Sequence, residues 1–152
     1  MARIDMNRQA GVVLIEALLG ILIFSIGILA LIGMQSVAVK NTTDARYRTE
    51  AAYLANNILS QIRLDMVNVN QYTDGNVGNY APRTAWRNQV EALLPGISVA
   101  SAQRVPSILV APGPTYGGDT DPSSQVTVTL TWMQPGETQT RRFQIVGYVS
   151  RQ

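Results

Sequence analysis

One uninterrupted apolar run dominates the N-terminal part of the chain. From Val12 to Met34 the sequence reads VVLIEALLGILIFSIGILALIGM, in which Glu16 is the only ionisable residue and Ser25 the only other polar one. As a helix these 23 residues are about 34 Å long at ~1.5 Å per residue, enough to cross a bilayer core of ~30 Å. The run therefore predicts a membrane-spanning helix over residues 12–34.

Beyond the span the pattern changes to a single apolar stripe. Apolar side chains recur at spacings of three or four, and no Pro or Gly occurs between Met34 and Tyr72. This predicts one long helix from Val12 to about Val67, whose amphipathic second half, residues 35–67, packs against a head domain. The stripe consists of Ala51, Leu54, Ala55, Ile58, Ile62 and Met66.

Residues 68–152 predict a small head that begins with a loop and a short helix. The Asn/Gly/Tyr/Asp-rich stretch 68–83 is typical of a loop. A helix is expected from Thr84, as its N-cap, to Leu94, with Pro95-Gly96 ending it. Ile97 to Val99 then begins a strand. The apolar face expected for the short helix consists of Trp86, Val90, Leu93 and Leu94.

The C-terminal third predicts a hairpin. Residues 126–132 (VTVTLTW) alternate strictly, which places Val126, Val128, Leu130 and Trp132 on one face and threonines on the other. Residues 134–137 turn the chain, and residues 142–150 return as a second strand with Phe143, Ile145 and Val149 inward. The expected class is therefore α+β, one long N-terminal helix packed on a small antiparallel sheet.

Composition narrows the chemistry that this chain can perform. It has 152 residues, 12 Lys plus Arg against 10 Asp plus Glu, and neither Cys nor His. The scattered charges give no footprint for nucleic acid. Without Cys or His, the commonest nucleophile–base pairs, most zinc sites and every disulfide are excluded. We therefore expect that the chain has no enzymatic activity, binds no cofactor and contains no catalytic residue.

Glu16 decides between three interpretations of the apolar run. Ser36-Val37-Ala38 offers a small-x-small sequence to signal peptidase, but the run is longer than a usual signal core and contains a carboxylate. A plain single-span anchor fits the length but leaves Glu16 unexplained. A carboxylate in a lipid-embedded helix costs on the order of 2.5 to 3.5 kcal/mol, so it calls for a partner, here an amine.

Gly11 followed by Val12-Val13-Leu14-Ile15-Glu16, behind a leader with Arg3 and Arg8, resembles the class III signal of type IV prepilins. The resemblance implies a leader peptide of residues 1–11 that prepilin peptidase removes between Gly11 and Val12. It further implies N-methylation of the new Val12 amine and an assembly salt bridge made by Glu16. The basic leader favours a cytoplasmic N-terminus and a periplasmic head.

The segment from Gly11 to Gln35, with its Ile26-Gly27 and Gly33-Met34-Gln35, is similar to the PilV group of minor pilins. This resemblance implies a low-abundance subunit that joins the major pilin and other minor pilins at an inner-membrane assembly platform, beneath a possible tip adhesin. Pilus assembly, adhesion and twitching motility would follow. Two alternatives stay open, a minor pseudopilin of a type II secretion system and a membrane-anchored periplasmic binding domain. Val12 departs from the aromatic residue or Met that is usual at the first mature position, and Gly33 from the helix-bending Pro of many major pilins.

The stretch from Pro112 to Ser124 is the most loop-like part of the chain. Asp119 and Asp121 there could supply oxygen ligands to calcium, although solvated carboxylates are the more common role of such residues, and no metal site is expected. Loops on a rigid scaffold are common contact sites, so Tyr116 and Asp119 are also candidates for contacts with a partner subunit.

Overall fold

A computed structural model of the chain describes residues 6–75, 79–100, 102–114 and 123–150. It forms two compact units, Met1–Thr43 and Asp44–Gln152. A long helix and a three-stranded antiparallel sheet confirm the predicted α+β class. The elements are helix α1 (Met6–Leu64), a 3-10 helix (Met66–Gln71), helix α2 (Ala81–Leu93), and strands β1 (Ser107–Pro112), β2 (Ser124–Met133) and β3 (Thr140–Val149).

Helix α1 is continuous through both of the predicted halves. It begins at Met6 rather than Val12, because the residues before Gly11 contain nothing that breaks a helix. It ends at Leu64 rather than near Val67, because Asp65 leaves helical geometry at φ −122° and ψ 46°. The predicted stripe is confirmed, since Ala51, Leu54, Ala55, Ile58 and Ile62 are fully buried, and Met66 packs partly buried against them.

The sheet has the order β1-β2-β3, so β2 is its central strand. Ile108 of β1 faces Val128 of β2, and Val128 faces Ile145 of β3. The predicted inner face is confirmed, because Val126, Val128, Leu130 and Trp132 are all buried. On β3, Val149 is buried and Phe143 and Ile145 are half-buried.

The core of the head lies between the stripe of α1, helix α2 and the inner face of the sheet. Trp86 links the two helices, since its ring fills the core and its indole N–H donates to the Leu54 carbonyl at 2.9 Å. Burying each large side chain contributes about 1.5–3 kcal/mol, so this cluster is what holds the head together.

The start of α2 was predicted wrongly. Stretch 68–83 is not all loop, because it contains most of the 3-10 helix and the first turn of α2. Pro82 stands in that first turn, where a proline costs no hydrogen bond, and Tyr80 is the N-cap. Thr84 lies inside the helix, with its backbone N–H donating to the Tyr80 carbonyl at 3.0 Å.

Of two further expectations around α2, one differs from the structure and one agrees with it. Leu93 is partly exposed, whereas Trp86, Val90 and Leu94 are buried as predicted. Gly96 follows the helix with φ +73°, a conformation that glycine adopts without steric cost, which agrees with the predicted stop.

The first strand of the sheet is not the one that the sequence predicted. Instead of a strand at residues 97–99, the structure has only an isolated bridge between Ser98 and Gln103. The strand is β1, where only Ile108 is fully buried and Pro112 closes the segment. Its short apolar run carries no alternation, so the pattern did not identify it.

Candidate assembly site on the N-terminal helix

Gly11, Val12 and Glu16 all lie on α1. Val12 and Glu16 are four residues apart, so they share a face and are separated by about 6 Å along the axis. Side chains on a helix lean toward its N-terminus, which brings the Glu16 carboxylate back toward the level of Val12. The regular helix alone therefore places Val12 and Glu16 on adjacent turns of one face.

No described residue of the same compact unit packs over the apolar side chains of the span. The residues from Gly11 to Thr42 are exposed, including Phe24 and Met34 at 69% and 71%. Among the described residues one helix is long and apolar enough to cross a membrane, and none of its most apolar window is buried. So large an apolar surface has to be covered by lipid or by other protein chains.

Of the two polar side chains in the span, only Glu16 needs an outside partner. The Ser25 hydroxyl donates to the Ile21 carbonyl at 2.7 Å, one turn back on the same helix. Within the described part of the chain, Glu16 makes neither an ion pair nor a side-chain hydrogen bond. The span thus contains one polar side chain, Ser25, that is hydrogen-bonded within the helix, and one, Glu16, that depends on a partner from another molecule.

The glycines of the span are not required by packing within the chain. A Cβ built at Gly11, Gly20, Gly27 or Gly33 would meet no atom within 4 Å. Each glycine disfavours the helix by about 1 kcal/mol relative to alanine. Small residues around Gly33 also leave an open groove on α1, bordered by Ala30, Val37 and Ala38. Such small positions permit the close approach of another helix.

Asp44 begins the head and ties the β2–β3 turn to α1. Its carboxylate accepts hydrogen bonds from Arg48 (2.8 Å), Arg141 (3.0 Å) and Gln134 (2.8 Å). Arg141 also pairs with Glu137 at 3.0 Å. The hydrogen bond from Arg48, followed by that from Arg141, holds the pKa of Asp44 below its usual value. Sequence reasoning missed this cluster, because nothing in the pattern pairs residues 90 or more positions apart.

Two other carboxylates play similar joining roles in the head. Asp65, just past α1, accepts hydrogen bonds from Tyr72 at 3.0 Å, Asn68 at 2.8 Å and Tyr80. Asp74 pairs with Arg83 at 3.1 Å and Arg87 at 2.7 Å, both on α2. Because each carboxylate is already engaged in these contacts, we assign both clusters to holding the fold together.

The candidate calcium ligands Asp119 and Asp121, and the candidate contact residue Tyr116, lie outside the described residues. Among the residues that are described, no group of three or more His, Cys, Asp or Glu side chains converges on a point that could hold a metal ion.

Comparison of the chain with protein-family profiles, with curated proteins and with solved structures finds no match. The long apolar N-terminal helix and the small antiparallel sheet are compatible with a pilin-like fold.

Proposed function

We propose that this chain is a minor pilin of the PilV type, made as a prepilin and assembled with other pilins into a type IV pilus. Glu16 carries the proposal. It is a lone carboxylate in an exposed apolar helix, one turn after Val12, and within the described part of the chain no group neutralises it.

Cleavage by prepilin peptidase supplies the missing partner. Water adds across the Gly11–Val12 peptide bond, which leaves a carboxylate on Gly11 and a new amine on Val12. That amine is positively charged and is N-methylated in the proposed mature subunit. In a bundle of parallel helices, the amine of one subunit and the Glu16 carboxylate of its neighbour offset each other's desolvation, which favours the docked register over shifted ones.

The proposed topology follows from the two ends of the span. Arg3 and Arg8 keep the leader in the cytoplasm, where the peptidase acts, and the head lies in the periplasm. The subunit then waits in the inner membrane as a single-pass protein. From there it joins the major pilin and other minor pilins at the assembly platform, primes polymerisation and supports adhesion and twitching motility, beneath a tip adhesin where one is present.

The proposal is tested by mass analysis of the intact chain and its N-terminus, expressed with and without prepilin peptidase. We expect a mature chain that starts at methylated Val12 only when the peptidase is present. Glu16→Ala should be cleaved normally but fail to enter pili. Ser25→Ala is the matched control, because its hydroxyl is satisfied within the helix, and it should assemble like the wild type.

A chain that starts after Ala38, or one that keeps Met1 in the presence of the peptidase, would contradict the proposal. A strain that lacks the gene for this chain separates a pilin from a pseudopilin. Loss of surface pili on deletion, with protein secretion intact, supports the pilus, whereas the reverse result assigns the subunit to a secretion system.

A further inference from the structure

The two outer edges of the sheet differ in whether other residues form hydrogen bonds with them. The outer edge of β1 is covered by residues 73–74. Asp74 exchanges two hydrogen bonds with Ile108, at 2.7 Å and 3.0 Å, and the Thr73 hydroxyl accepts from the Val110 N–H at 3.3 Å. The outer edge of β3 receives no hydrogen bond from any described residue.

The pairing register shows which groups of β3 point outward. Ile108 and Val110 turn their backbone groups away from β2, so the alternate residues of β1 bond to Thr129, Thr127 and Gln125. The intervening β2 residues, Val126 and Val128 among them, therefore bond to β3. Their partners Gly147 and Ile145 face β2, which leaves the N–H and C=O groups of Arg142, Gln144, Val146 and Tyr148 on the open edge.

From Phe143 to Val149 this edge lacks the usual protection against pairing, since the inward-facing Arg141 lies before that stretch and pairs with Asp44. Native proteins blunt long edge strands with proline, lysine, inward charges or bulges. β3 pairs with β2 in an unbroken register over ten residues and contains neither Pro nor Lys. From Phe143 to Val149 it carries no charged residue at all. An edge of this length and regularity is a template for another strand.

The core is also left incomplete along this edge. Leu130 and Val128 are fully buried on the central strand, but Phe143 and Ile145, which lie directly beside them on β3, are only half-buried. A fourth strand with apolar residues on its inner face would cover both of them.

Positive charge marks the two ends of the edge. Arg142 is exposed, and its guanidinium donates to Gln144 with no acidic partner among the described residues. At the other end, Arg63 of α1 borders a small cleft with Tyr148 and Val149. A partner strand that is acidic at both ends complements this arrangement.

We infer that β3 is a docking edge, which takes up as a fourth strand an extended segment of another protein with alternating apolar and polar residues and an acidic residue at each end. Main-chain hydrogen bonds would provide the binding affinity. The positive charges of Arg142 and Arg63 would set the register of the added strand. The inference goes beyond helix assembly and holds whether or not Gly11 is a cleavage site.

The test uses the full chain in detergent micelles and a synthetic peptide, acetyl-EVTVTVE-amide. Its valines match the inner face and its two glutamates reach the ends of the edge in either strand direction. Hydrogen exchange is measured residue by residue. With peptide we expect exchange at Gln144 and Val146 to slow by at least about tenfold, the scale of one hydrogen bond, while the lysine-ended peptide KVTVTVK protects less.

Two variants at one position separate the backbone from the side chain. Val146→Pro removes an outward N–H without touching the β2–β3 ladder, and it should weaken peptide binding on the order of tenfold or more. Val146→Ala keeps that N–H and should bind nearly as the wild type does. If the proline variant fails to fold, Arg142→Glu provides the test, because it should reverse the preference in favour of the lysine-ended peptide.

Unchanged exchange at the outward amides with the acidic peptide would overturn the inference. So would equal binding by the proline and alanine variants, or an unchanged peptide preference in Arg142→Glu. Protection of the same amides in the chain alone, rising with its concentration, would assign the edge to a second copy and overturn the acidic partner.

Discussion

At Gly147, strand β3 lies directly against α1. A Cβ at this position would lie 2.6 Å and 2.7 Å from the two terminal carbons of Leu59, which is itself buried. Space, not backbone conformation, requires glycine here, because its φ lies outside the left-handed region. The close approach lets β3 lie against the helix at this point.

We expect Gly147→Ala to destabilise the head by about 1–3 kcal/mol, because the buried Leu59 side chain must shift. In a Leu59→Ala background the same change should cost less than about 0.5 kcal/mol, since the space is then available. Denaturant unfolding of the full chain in detergent, followed by the fluorescence of Trp86 and Trp132, measures both values. An equal cost in the two backgrounds would contradict the steric explanation.

At the scale of elements, α1 consists of two parts that differ in how their side chains are covered. Its first part is apolar on every side and has no cover within its unit, whereas its second part buries one stripe in the head core. Where it ends, Asp65 connects α1 to Tyr72, beyond the 3-10 helix, and to Tyr80 at the start of α2. The carboxylate therefore joins the end of the long helix to the start of α2.

The Asp65 junction predicts acid sensitivity. Hydrogen bonds from Tyr80, Asn68 and Tyr72 to the carboxylate hold the pKa of Asp65 below its usual value in the folded chain. The stabilisation is fully present above the unfolded value of about 3.9 and is lost as the pH falls through the lower folded value.

Asp65→Asn should therefore lower the thermal stability at pH 7, and the difference from the wild type should shrink below about pH 4. Thermal unfolding of the two proteins from pH 7 to pH 2 measures this. Glu50→Gln, which removes a carboxylate from the same helix away from this junction, is the control. A difference that stays constant from pH 7 to pH 2 would show that the charge of Asp65 does not matter.

At the scale of the whole molecule, the head has a core of its own. Every buried hydrophobic member of that core comes from Ala51 or later, and the polar contacts of the head begin at Asp44. The residues before them expose apolar side chains that contribute nothing to this core. The boundary between the two compact units falls at the same place, between Thr43 and Asp44.

A fragment of residues 40–152 should therefore fold without the span and remain soluble. We expect one cooperative denaturant transition, monitored by Trp86 and Trp132. Ile58→Ala in the fragment should lower the free energy of unfolding by about 2–5 kcal/mol, because Ile58 is fully buried in the core. A broad transition that this substitution does not move would mean that the head depends on the segment before residue 40.

The sequence by itself determined whatever depends on local periodicity. The span, the stripe from Ala51 to Ile62 and the alternation of β2 each repeat with the period of their own element, so which face is buried followed directly. The candidate site belongs to this group, because Gly11, Val12 and Glu16 are neighbours on one helix. Their function stays a proposal that the processing experiment tests.

Only the tertiary structure decided what depends on residues distant in the chain. β1 has no alternation and becomes a strand by pairing with β2, and α2 begins where Tyr80 reaches Asp65, not at the better capping residue Thr84. The same holds for the Asp44 cluster and for the contrast between the covered edge of β1 and the edge of β3, which no described residue covers. The physical reason is that the order of apolar and polar residues along a segment encodes its local geometry. The partner of a carboxylate or of a strand edge is instead set by how the elements pack.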